Sequence, residues 1–247
     1  MKIEQVSDSV HVVAGTNVNW ALVSDGSGVT VIDAGYPGDT DDVLKSVREI
    51  GHQFDDIAAV LLTHAHLDHI GAIPTLVERF EVPIYTGPEE VRHAKRKYLQ
   101  QISPAQMAAR LLDARGRRWL AQTLRVVGRH LDVTIPTATT ADEATLAALP
   151  GGIVAIPTPG HTDGHTAYLL PSEGVLFSGD TLITGHLLSA HTGLQLLPTF
   201  FNHNESGTRA SAAALAAQPA HTLVPGHGSP VEYDPAELTA LFGSATG

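Results

Sequence analysis

The spacing of hydrophobic and polar positions changes several times along this chain. Val10–Ala14, Asn19–Ser24 and Val29–Asp33 read as short strands, and Asp25-Gly26-Ser27-Gly28 supplies a hairpin turn between the last two. After Pro37-Gly38-Asp39, the apolar positions Val43, Leu44, Val47 and Ile50 keep helical spacing. Ile57–Leu62 is almost continuously apolar, as a strand buried on both faces must be. The stretch from His69 to Phe80 predicts a helix, and Val82–Tyr85 predicts another strand.

From Pro88 to about Leu131 the pattern becomes helical, with Val91, Tyr98, Met107, Trp119, Leu124 and Val127 among the apolar positions. Arginines and lysines recur between them, which predicts two or three basic amphipathic helices. Strands resume at Gly152–Thr158, Thr166–Leu170 and Val175–Ser178, followed by a helix over Glu205–Ala217 and a strand over His221–Pro225. Two α/β halves of this kind predict a four-layer αββα sandwich. With no linker or low-complexity stretch, a single domain over residues 1–247 is expected, carrying a basic helical insert at about 88–131.

Charge alters this picture in one respect. The net charge of −11 argues against nucleic acid as a partner, since phosphate contacts need basic surface. Residues 87–145 nevertheless hold ten of the fifteen basic residues and only six of the twenty-six acidic ones. No apolar run approaches the ~20 residues that span a bilayer, and the N-terminus has no signal-peptide core, so a cytoplasmic protein is expected. The absence of cysteine removes disulfides, thiolate ligands and thiol nucleophiles.

The chemistry concentrates in Thr63-His64-Ala65-His66-Leu67-Asp68-His69. His64 and His66 alternate along an extended segment and point the same way, while Asp68 and His69 follow as the chain turns into a helix. His161 in Pro-Gly-His-Thr, Asp180 in Phe-Ser-Gly-Asp and His227 in Val-Pro-Gly-His-Gly each follow an apolar strand. Imidazole and carboxylate together suit zinc and neighbouring metals, and seven such groups are too many for one tetrahedral ion but enough for two. Two divalent ions ~3.5–4 Å apart share a water and lower its pKa toward neutrality.

This set, with Val31-Ile32-Asp33-Ala34-Gly35, resembles the metallo-β-lactamase superfamily and is most similar to its glyoxalase II-like hydrolases. The resemblance covers nearly the whole chain. It implies the αββα fold with the site at one edge, His64, His66 and His161 on one metal, and Asp68, His69 and His227 on a second. Asp180 would bridge the two, and Asp68 would orient the attacking hydroxide and move its proton. The implied cofactor is a pair of zinc ions, with iron or manganese as alternatives. The implied reaction is hydrolysis of an ester, thioester or lactone in a small molecule, acylated or anionic. Asp33 is expected to accept the free N–H of a ligand imidazole. His165 is expected to be structural, His186, His191 and His203 incidental, and Asn202, Asn204 and Ser206 caps of the following helix.

Departures from the branches narrow the substrate. The superfamily's B1 and B2 β-lactamases place a cysteine in the second metal site, and the flavodiiron proteins carry glutamate where this chain has His66. Glyoxalase II proper grips glutathione with a C-terminal helical region, for which the twenty residues after His227 leave no room. Acyl-homoserine lactonases, the main alternative, carry tyrosine where this chain has Ile183. An iron-dependent persulfide dioxygenase uses one iron, whereas Asp68, His69 and His227 favour two metals. The basic insert is expected either to cover the site, with apolar faces taking an acyl portion and arginines an anion, or to form a dimer interface. Contact of these helices with anionic lipid is a third and weaker expectation.

Overall fold

The computed structural model describes residues 1–242 and holds two β-sheets. The first contains β1 (Lys2–Gln5), β2 (Val10–Ala14), β3 (Asn19–Ser24) and β4 (Val29–Ile32), which meander antiparallel. After α1 (Thr40–Glu49), β5 (Ile57–Leu61) returns parallel to β4. Short helices α2 (Leu67–Ile70) and α3 (Ile73–Phe80) then lead to β6 (Ile84–Tyr85), parallel to β5.

Three helices follow in the insert: α4 (Pro88–Ala94), α5 (Pro104–Ala109) and α6 (Ala114–Val127). Helix α7 (Glu143–Ala148) precedes the second sheet. That sheet contains β7 (Val154–Pro157), β8 (Thr166–Leu170) and β9 (Val175–Gly179), then, after α8 (Glu205–Ala216), β10 (Thr222–Pro225) and β11 (Val231–Glu232). It runs in the order β11-β10-β9-β8-β7, with β9 and β10 parallel. Helix α9 (Pro235–Phe242) follows.

Side-chain alternation along the strands builds the layers. In β3, Trp20 and Leu22 face outward to Val43 and Val47 of α1 and Ile73 and Leu76 of α3. The alternate residues Ala21 and Val23 face inward and meet Tyr168, Leu170 and Phe177 of the second sheet. Ala167 and Leu169 of β8 face the far side, against Ala212 and Leu215 of α8 and Leu238 of α9. The result is helix, sheet, sheet, helix, the αββα sandwich. No helix among the described residues is long and apolar enough to cross a membrane.

The predicted helix from His69 to Phe80 is interrupted, for a visible reason. The Gly71 N–H donates to the Gly35 carbonyl at 2.7 Å and the Ala72 N–H to the Ala34 carbonyl at 3.0 Å, so neither extends the helix. Gly71 packs so tightly on the Tyr36–Pro37 backbone that a Cβ there would collide with it. This contact stitches the loop after β4 to the histidine-rich loop after β5. Strands β1 and β11 and helices α7 and α9 were not evident from the pattern. The exposed edge strand Lys2–Gln5 has no buried face to impose alternation.

Candidate metal centre

The loops after β4, β5, β9 and β10 leave the same edge of the sandwich, where ligands gather in open α/β sheets. The first provides Asp33, the second His64, His66, Asp68 and His69, the third Asp180 and the fourth His227. His161 arrives on the connection between antiparallel β7 and β8.

Their donor atoms form three groups, each within 4.8 Å: His64, His66 and His161; His64, His69 and Asp180; and Asp68, His69 and His227. Asp180 sits centrally, with Oδ2 3.4 Å from His161 Nε2 and 3.1 Å from His227 Nε2, and Oδ1 3.5 Å from His69 Nε2. Asp68 Oδ2 lies 3.6 Å from His227 Nε2 and 3.8 Å from His69 Nε2. Three of these buried atoms, His64 Nε2, His69 Nε2 and Asp180 Oδ1, have no hydrogen-bond partner. Orphaned polar atoms are costly in a protein interior, so a convergent set of them fits a bound cation.

The outer ring nitrogens strengthen that fit, because every imidazole is fixed by an acceptor on its far side. His69 Nδ1 meets Asp33 Oδ2 at 2.8 Å, and His161 Nδ1 meets Asn202 Oδ1 at 3.0 Å. His227 Nδ1 meets the Asn17 carbonyl, and His66 Nε2 the Gln100 carbonyl, both at 2.6 Å. His64 Nδ1 meets Thr63 Oγ1 at 3.0 Å, and that hydroxyl in turn donates to Asp33 at 2.7 Å. Asp33 also accepts the Thr63 N–H at 2.8 Å, so one carboxylate orients two rings. His66 thereby offers Nδ1 to the centre, and the other four offer Nε2.

Burial first, then neighbouring imidazoles, hold His64 and His66 well below the ordinary histidine range, leaving them neutral donors. Burial also opposes charge on His69, but Asp33, Asp68 and Asp180 outweigh it and raise the ring to about 10. Burial disfavours the Asp180 carboxylate too, yet His227 and His69 hold it ionised, well below the usual range. The carboxylates of Asp33, Asp68 and Asp180 thus gather around the His69 ring.

Several supports lie outside the ligand motifs. Glu90 of α4, fully buried, accepts the Ala65 N–H at 2.6 Å, His93 Nδ1 at 2.7 Å and the Thr162 hydroxyl at 2.7 Å. His93 Nε2 receives the Gln100 N–H at 3.1 Å, fixing the carbonyl that holds His66. The buried ring of His165 accepts the Asp180 N–H at 3.1 Å, so this residue positions the central carboxylate. Asn204 caps α8 as expected, but Asn202 instead binds His161 and donates to Glu205 at 2.7 Å. His186 lies over the centre with its ring 5.2 Å from that of His227, whereas His191 and His203 are exposed.

A cavity of about 100 Å³, open on one side, stands above the centre. His66, Asp68, His161, Asp180 and His227 line it together with Tyr36, Met107, Trp119, Leu124 and Phe201. The insert thus roofs the site with apolar side chains. The expected arginines are not there, since no arginine or lysine lines the cavity. Arg96 instead donates to the Ala65 carbonyl at 3.0 Å, Arg115 reaches the Ser189 carbonyl, and Arg110 stacks on Phe200.

A buried histidine–aspartate centre beneath an apolar-walled cavity, on this sandwich, defines a metal-dependent hydrolase. The profile of the metallo-β-lactamase superfamily matches residues 13–227, and the chain belongs to that superfamily. The chain is 26% identical over 217 residues to the "Probable metallo-hydrolase YflN" of Bacillus subtilis, covering 85% of this chain and 79% of that one. It is 30% identical over 169 residues to the hydroxyacylglutathione hydrolase of Salmonella paratyphi A. That match covers 68% of this chain and only 48% of the relative. Among solved structures, TTHA1623 in a di-iron-bound form superposes with a TM-score of 0.58 at 25% identity, covering 94% of this chain and 96% of that one.

Proposed function

We propose that the protein is a binuclear zinc-dependent hydrolase that cleaves an ester, thioester or lactone bond in a small molecule. The observation that carries this reading is the overlap of the three donor groups, in which the middle group shares His64 with the first and His69 with the third. In this assignment His64, His66 and His161 would hold one ion, Asp68, His69 and His227 would hold the other, and Asp180 would serve both. The nitrogen and oxygen donors suit zinc, and the di-iron form of TTHA1623 makes iron the alternative to be tested. A pair of such ions supplies Lewis acidity and an ionised water near neutral pH.

The chain's own groups do the rest. The Asp68 side chain, 17% exposed on the cavity floor, orients the attacking water, accepts its proton and passes it to the leaving group. The acyl carbon gains the hydroxyl, its bond to oxygen or sulfur breaks, and the departing atom takes the proton. The apolar roof limits competing water. The hydroxyacylglutathione hydrolase relatives support a thioester, although the chain spans about half their length.

Metal analysis of the purified protein, with assays on thioesters, lactones, phosphodiesters and a cephalosporin, tests the reading. Two zinc ions per chain with thioester or lactone turnover is the expected result. One iron with oxygen consumption would overturn it. A folded Asp68→Ala protein should lose roughly 10²–10⁴-fold in kcat, and full activity in it would remove Asp68 from its assigned role.

A further inference from the structure

Two adjoining cavities, here two limbs of the site, differ in character and share Gln101, Ile102, His161 and Phe201 in their walls. One limb runs beneath α6 and is walled by Met107, Trp119, Leu124, Val127, Leu131 and Leu197. The other opens among Gln101, Asn202 and His203. Neither is lined by lysine or arginine. A substrate that relied on carboxylates remote from the cleaved bond would meet no cationic lysine or arginine in either limb.

Two hydroxyls border the apolar limb. Thr123 of α6 is 5% exposed, and its hydroxyl is shielded from the cavity and directed at the Tyr36 phenol. Tyr36 is 5% exposed and borders the same limb. Burial first, then the Asp68 charge, keeps its phenol protonated and able to donate. A protonated phenol on the cavity wall is a ready donor to an uncharged oxygen.

Resting on the hydrolase reading above, we infer that the substrate is an uncharged acyl compound. Its aliphatic chain lies in the limb beneath α6, an oxygen of its acyl part is held by Tyr36, and its polar leaving group lies in the limb lined by Gln101 and Asn202. Leu124 and Leu131, 54% and 68% exposed, form the outer lip over which the chain enters.

Straight-chain methyl ketones, which carry an acyl oxygen but no cleavable bond, test binding apart from hydrolysis. Titrated calorimetrically into the metal-loaded protein, they should bind about two- to fourfold more tightly for each added methylene until the limb is filled. Leu124→Asp, at an exposed position, should flatten this dependence, and Tyr36→Phe should weaken every ketone about fivefold while the slope persists. In parallel, kcat/KM should rise with chain length for N-acetylcysteamine thioesters and exceed that for the matching S-acylglutathiones. Ketone binding without chain-length dependence, an unaltered slope in Leu124→Asp, or preference for the anionic glutathione series would each overturn the inference. If no thioester, ester or lactone is cleaved while the ketones still bind with the expected slope, the hydrolase reading fails and the chain site stands.

Discussion

Glu90 and Thr162 lie 72 residues apart, yet the Thr162 hydroxyl donates to Glu90 Oε2 at 2.7 Å inside the protein. The other carboxylate oxygen receives the Ala65 N–H between His64 and His66. One buried side chain thus ties the loop bearing His64 and His66 to the loop bearing His161. Its third partner, His93, extends the tie through Gln100 to the ring of His66.

Glu90→Gln keeps the size of the side chain but removes its charge and reverses the bond to the Thr162 hydroxyl, so the charge-assisted ties to both loops weaken. Metal affinity should fall about 10–100-fold, as when supports of ligating groups are lost. Competition with a chromogenic chelator measures this. Glu90→Ala strands several buried polar groups and should lose about 3 kcal/mol or more in denaturant unfolding. Unchanged metal affinity in a folded Glu90→Gln protein would show that the two loops hold their geometry without this tie.

The seven candidate ligands were legible because chemistry demands particular residue types and the fold places them in loops after strands. Asp33 was legible for the same reason. The supports were not. Glu90 follows Pro88 and Glu89 at a helix start, where acids ordinarily face solvent and favour the helix dipole. Gln100 and Asn17 act through backbone carbonyls, which any residue supplies. Asn202 precedes a helix and reads as a cap, but Asn204 fills that role and leaves Asn202 for His161. Helical period revealed the insert, and the four layers followed from the strand pattern. Period alone did not show which way the arginines turn, because Arg96 and Arg115 are drawn to carbonyls.

Asp33 should be more sensitive than its distance from the substrate implies. It holds His69 directly and His64 through the Thr63 hydroxyl. Asp33→Asn removes the charge facing His69 and one acceptor oxygen, so both proposed metal positions should weaken. Equilibrium dialysis should show loss of both metals at concentrations that saturate the parent protein, at about 10–100-fold lower affinity. Loss of only one metal would separate His64 from the Asp33 relay.

Metal removal should also destabilise the whole fold. Asp180 Oδ1 and the Nε2 atoms of His64 and His69 are buried without partners. An ion that binds only the folded chain, at about a thousandfold over its Kd, adds roughly 4 kcal/mol. For a domain of this size that corresponds to a Tm shift of about 8–16 °C. Calorimetry with and without a chelator should show the drop, and restored zinc should reverse it. Superimposable transitions would mean that the cluster does not need a cation to be stable.

A steric test of the centre lies at Gly226, next to His227. A Cβ built there collides with Asp180 Oδ1 and comes within 3.0 Å of His69 Cε1. Gly226 does not have a positive φ, so the constraint is space rather than backbone conformation. Gly226→Ala should therefore displace the central carboxylate, lower metal affinity at least tenfold and reduce turnover with it. The overpacking should cost about 1–3 kcal/mol. Gly51→Ala is the matched control, because Gly51 has φ +94° and nothing within 4 Å of its built Cβ. That substitution should cost roughly 1 kcal/mol through backbone strain and leave metal affinity at the parent value. If both variants bound metal equally well, the close approach of Gly226 to Asp180 would have no part in shaping the centre.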